Sequence, residues 1–110
     1  MHDFYAQRIK ETRKLILRWH GQSAMLRLLT TSHKTLEILV FTDGKSMNYE
    51  NLQIACIGPC HINSPIDWPD NRIEVVKSRL NEANVAIIDK QSGVAIHAAS
   101  FEVRENVKLK

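Results

Sequence analysis

Gly21 constrains this chain more than any other residue, because the hydrophobic period changes there. Before it, Tyr5, Ile9, Thr12, Ile16 and Trp19 recur at i, i+4, i+7, i+11 and i+14, with Leu15 at the edge, forming one stripe of a 3.6-residue repeat. After it, SAMLRLLTT (23–31) and TLEILVFT (35–42) are runs of Leu, Ile, Val, Phe and Thr that suit strands, with SHK between them as a hairpin. The pattern predicts a helix over about 3 to 20. Asp3 caps its first turn, and Gly21 takes the left-handed conformation that releases its end.

Downstream, TDGK (42–45) marks a reversal, and the polar stretch through Glu50 lengthens it into a loop. NLQIACIG (51–58) reads as a third strand, with Leu52, Ile54 and Cys56 on one face. Residues 58–72 hold all three prolines and Trp68, and read as a loop of about fifteen residues. Trp68 is either the anchor of that loop or an exposed contact. The segment 72–87 is ambiguous. Ile73, Val76, Leu80 and Ala83 fit a helix opened by Asn71 and Glu74 as a capping box, whereas the β-branched content favours a strand at 73–79. The end reads as VAIID (85–89), a KQSG turn (90–93), VAIHAAS (94–100) and a final strand FEVRENVKL (101–109). The expected fold is a single domain, 1–110, of the α+β class and mainly antiparallel β. Its N-terminal amphipathic helix (1–21) would pack on a small β-barrel or sandwich (22–110).

With 110 residues, 44% hydrophobic and 25% charged, the chain can bury roughly 65% of its unfolded surface and form one modest core. The start, MHDFYAQRIK, lacks the apolar centre of a signal peptide, and no apolar run is long enough to span a membrane, so a cytosolic setting with Cys56 and Cys60 as reduced thiols is expected.

The net charge of +3 is unevenly placed. Residues 1–20 carry Arg8, Lys10, Arg13, Lys14 and Arg18 against Asp3 and Glu11, whereas ten basic and ten acidic residues cancel in the remainder. Lys10, Arg13, Lys14 and Arg18 fall opposite the apolar stripe with Gln7 and Glu11. Such a face is either simply solvated or meets an acidic surface, protein or nucleic acid.

Chemistry-bearing constellations are sparse. Cys56, Cys60 and His61 give C-x-x-x-C-H, but a tetrahedral zinc site needs four ligands, and His2, His20, His33 and His97 stand singly; no metal or other cofactor is expected. A cysteine nucleophile with His97 as base has nothing in the sequence to place the two together, and buried strand cysteines are usually inert. Phosphate-binding glycine loops, nucleophile elbows and paired carboxylates are missing, which points away from an enzyme. A small basic nucleic-acid-binding or regulatory protein is the alternative. However, 6% aromatics, set apart from the basic residues, make a thin stacking platform. An immunity or inhibitor protein directed at a nuclease would ordinarily be acidic.

The run FYAQRIKETRKLILRWHGQSAMLRLLT (4–30) resembles the start of small neck proteins of tailed bacteriophages, the head-completion or head-to-tail connector proteins. The matching pieces are a helix of the form ETRKLI (Glu11–Ile16), a GQ break (Gly21-Gln22) and the strand at Met25–Leu29. The resemblance implies a non-enzymatic virion protein, present in the host cytoplasm during assembly. It would form a homo-oligomeric ring, hexameric or dodecameric, between the portal protein and adjacent neck or tail proteins. It would have no membrane partner and would touch channel DNA only non-specifically. On that reading Lys10, Arg13, Lys14 and Arg18 meet an acidic portal surface or neighbouring subunit. Leu17 is an apolar contact on the same side, Trp68 lies in a contact loop, and Arg104 and Lys108 belong to a basic contact tail. Cyclic rings use two different patches of each subunit, which suits a chain without a catalytic site.

Overall fold

The computed structural model describes residues 4–30, 34–44 and 50–106. Among these, one α-helix, α1 (Phe4–Arg18), is followed by strands β1 (Ser23–Thr30), β2 (Thr35–Phe41), β3 (Asn51–Asn63), β4 (Asp67–Trp68), β5 (Glu74–Lys77), β6 (Val85–Asp89) and β7 (Val94–Glu105). The protein is α+β and mainly β, and the ambiguous segment after Asn71 holds a short strand, Glu74–Lys77, and no helix. The proposed Asp3 cap and Lys108 lie outside the described residues, as do His2 and His33.

All strands pair antiparallel in one sheet ordered β4, β1, β2, β3, β7, β6, β5. Two meanders, β1 to β3 and β5 to β7, are fused along the β3–β7 ladder. The connection between them dictates the curvature. Laid flat, the outermost strands of a seven-stranded sheet would be about 29 Å apart, at roughly 4.8 Å per strand. Yet Trp68 in β4 and Glu74 in β5 are joined by a stretch of chain that spans about 20 Å even when fully extended. The sheet must therefore curl, and Trp68 at one edge reaches Asp89 in β6 near the other.

The curl stops short of closure. β4 and β5 do not pair, so the sheet is an open half-barrel and not the closed barrel or two-layer sandwich expected. Asp70, at φ +48, and Asn71 turn the chain away from a strand path, and the backbone of Asn71 is committed to Gly21 (2.9 Å) and Gln22 (2.9 Å). No peptide groups remain there to continue a ladder.

Alternation along the strands supplies the core on the concave side. Leu36, Ile38 and Val40 face it from β2, Leu52, Ile54 and Cys56 from β3, Val85 and Ile87 from β6, and Val94, Ile96 and Ala98 from β7. Two departures from the sequence expectation share one cause. β3 continues through Gly58, Pro59 and Cys60 to Asn63, so the long loop 58–72 shrinks to its second half, and residues 94–105 form one strand instead of two. Gly58, at φ +64, sits where an added Cβ would come within 3.1 Å of the Ala99 Cβ, and the register slips between Pro59 and His61. Gly58 thus faces the stretch of β7 in which the inward residue passes from Ala98 to Phe101, a break in the period-2 pattern.

Candidate functional site

The helix divides as its sequence does. Ile16 is buried in the core cluster, and Tyr5, Ile9, Leu15 and Trp19 pack partly buried against it. Polar bonds reach β7 from both ends of the helix. An Arg8 guanidinium N–H donates to the Phe101 carbonyl (3.0 Å) and lies 5.4 Å from the centre of that ring, while the Trp19 indole N–H donates to Glu105 (2.6 Å). Beyond Arg18 the chain tightens, with Trp19 N–H to the Ile16 carbonyl and His20 N–H to the Leu17 carbonyl. The carbonyl of Trp19, at the helix end, accepts the backbone N–H of Gln22 (3.3 Å) and the side-chain amide of Asn71 (2.8 Å), which also donates to the Gln22 carbonyl (2.9 Å). Asn71 therefore does not open a helix. It fixes the helix end beside the start of β5, where His20 Nε2–H donates to the Ile73 carbonyl (2.7 Å).

That splice leaves a groove of about 370 Å³ between α1 and β5. Ile9, Ile16 and Leu17 line its helix wall, and Ile73, Val75 and Val76 its strand wall, with Arg13 and Lys77 among the charged residues around it. Consecutive residues of a strand point to opposite faces. Because all four residues of β5 line the groove, it runs along the strand's edge and not across one face. β5 ends the strand order, so no strand pairs with that edge among the described residues.

The basic residues named from the sequence separate into three groups. Arg13, Lys14, Leu17 and Arg18 come together on the exposed side of α1, Arg13 and Leu17 in the groove and Lys14, Leu17 and Arg18 around an adjoining shallow hollow. Lys10 is exposed further back on the helix and lines neither. Arg18 lies 3.6 Å from Glu105, whereas Lys10, Arg13 and Lys14 have no ion pair among the described residues. Leu17 is 48% exposed despite being a large apolar side chain. Arg104 is away from this face, on β7, paired with Glu102 at 3.2 Å. Trp68 is not a contact residue. It is 5% exposed, and its indole N–H donates to Asp89 (3.0 Å).

Other polar groupings have structural explanations. Asp89 is fully buried and accepts from Trp68 and from the Arg72 backbone (2.8 Å), joining the two margins of the half-barrel. Ser78 Oγ is 2.7 Å from His97 Nδ1 and accepts the Leu80 N–H, which secures the turn after β5 to β7. Cys60 lies next to the His97 carbonyl (3.6 Å), but no group of three or more His, Cys, Asp or Glu suited to a metal occurs among the described residues. Burial pushes the Cys56 thiol from 9.0 up to about 12, which holds it as the unreactive thiol. Cys56 pairs with Phe101 in the β3–β7 ladder, away from His97, and it is the exposed Cys60 that lies beside His97, at its backbone carbonyl.

The edge of β5 was missed from the sequence because strand period reveals faces and not which strand ends a sheet. His20 and Asn71 could not have been assigned to the site either, since their partners lie about fifty residues away in the chain.

Comparison with protein-family models, with curated proteins and with solved structures finds no match to this chain.

Proposed function

We propose that this protein is a non-enzymatic assembly subunit. Specifically, we read it as a head-completion or head-to-tail connector component of a tailed-phage virion, whose helix α1 is seated across the open side of the half-barrel. The observation that carries the reading is the outer surface of α1. Lys10, Arg13 and Lys14 lack ionic partners among the described residues, and the exposed Leu17 lies beside them. A face both basic and apolar suits docking on an acidic protein surface better than stacking of nucleotides, because it carries no aromatic side chain: Trp19 and Tyr5 pack on the core, and Phe4, exposed at the far end of the helix, lies edge-on to Tyr5 at 5.2 Å. In the virion the partners would be the portal protein, neighbouring copies in a ring, and the next neck or tail protein.

The test is the solution mass of the purified protein, alone and with a short DNA duplex, at low and high salt. A monomer or discrete ring indifferent to DNA is the expected result. Salt-sensitive binding of the monomer to duplex would overturn the reading and make α1 a nucleic-acid element.

A further inference from the structure

We infer that the groove between α1 and β5 binds an extended, acidic and apolar peptide segment of a partner protein as an eighth strand of the sheet. The inference rests on the reading that α1 docks on an acidic protein, and it names the mode of binding.

The geometry supplies the two things strand addition requires. One is an accessible edge. In an antiparallel strand alternate residues direct their N–H and C=O groups to opposite sides, so two of the four residues of β5 pair with β6 and two turn towards the groove. The other is a second wall with side-chain contacts, which α1 provides through Ile9, Ile16 and Leu17. The volume of about 370 Å³ suits a few extended residues.

Chemistry selects the occupant. The rim on the helix side is Arg13, continuing into Lys14 and Arg18 around the adjoining hollow, and Glu74 is the one acidic residue lining the groove. An incoming strand with alternating apolar residues would set them against Leu17 and Val76, with carboxylates between them meeting the basic rim. A basic segment would meet only repulsion along α1. A lipid or other apolar ligand would fill the floor but leave the outward peptide groups of β5 and the cations of α1 unanswered.

Other edges are less suited: β4, at the far end of the strand order, has only two residues, and residues 59–63 of β3, which have no outer strand neighbour among the described residues beyond the β2 pairing at Ile57, begin with Pro59, which has no N–H to donate.

The experiment is selection from a library of random dodecapeptides on the full-length protein. The enriched peptides are then synthesised with backbone N-methylation on alternate residues, along one edge or the other. Acidic and apolar sequences are expected. Methylation along one edge should weaken them by about tenfold or more and along the other by less than about twofold, since only one edge bonds to β5. Amide NMR shifts should concentrate in Glu74–Lys77, and Arg13→Glu with Lys14→Glu, both on the exposed helix face, should weaken binding about tenfold. Acidic peptides that bind with equal tolerance of methylation on both edges, or that shift α1 alone, would overturn strand addition and leave docking through the helix standing. Enrichment of basic peptides, or of none, would remove both.

Discussion

The β3–β7 ladder and the α1–β5 seam are built from the same kinds of side chain but treated in opposite ways. At the ladder, Ile54, Cys56, Ile96 and Phe101 are 0–1% exposed, and both strands have neighbours on either side for much of their length. At the seam, Leu17 is nearly half exposed, Val76 is only partly covered, and β5 ends the sheet. The first region spends its apolar surface on the chain's own stability. The second withholds it, and an apolar groove beside Arg13 and Lys14, which have no ion pair among the described residues, keeps that region available for a partner. Stability and interaction are therefore separable here, and substitutions should divide along the same line.

The largest effect is expected at the ladder. Phe101→Ala should cost about 3–5 kcal/mol in urea unfolding, because it empties a fully enclosed site and removes the ring beside Arg8. A cost below about 1 kcal/mol would mean that the ladder is not the stabilising region. Asp89→Ala comes next, at about 2–3 kcal/mol, since the Trp68 indole and the Arg72 amide would both lose their acceptor in a buried setting. Asp89→Asn retains an acceptor oxygen and should recover at least half of that loss. The two variants are distinguished by tryptophan fluorescence together with the denaturation midpoint.

Cys56 gives a smaller, pH-dependent signature. Its folded-state thiol lies above the ordinary value of 9.0, at about 12, so its contribution is complete below pH 9 and is lost as pH rises from 9 towards 12, where the unfolded chain releases the proton first. Denaturation midpoints should fall across that window, and Cys56→Val should reduce the fall. Below it, iodoacetamide should modify exposed Cys60 quickly and Cys56 only on unfolding. The smallest effect on stability belongs to the seam. Leu17→Ala should change the unfolding free energy by no more than about 0.5 kcal/mol while weakening whatever binds the groove, so a large loss of stability would break the contrast.

Much of the fold was legible because periodicity is a local property. The helix stripe through Ile9 and Ile16, the first two strands and the turn at Gly93, with φ +73, all follow from residues close in sequence. The end of β3 was not legible. Gly58 and Pro59 look like loop residues until the neighbouring strand shows that one lies close against Ala99 and the other pairs with Ala98 just before a register slip. The candidate site divided in the same way. Arg13, Lys14, Leu17 and Arg18 could be grouped from helix geometry alone, whereas Trp68 could be read as anchor or contact until Asp89 was found beneath it.

The sequence by itself determined that a basic, amphipathic helix precedes an antiparallel sheet, since a 3.6-residue period, a glycine and a set of period-2 runs are each sufficient locally. Tertiary structure alone decided that the sheet curls without closing, that Asn71 fastens the end of the helix to the start of β5, and that a groove remains between them. Those features depend on which strands become neighbours and where the short link between β4 and β5 must reach, and strand order is set by the packing of the whole chain.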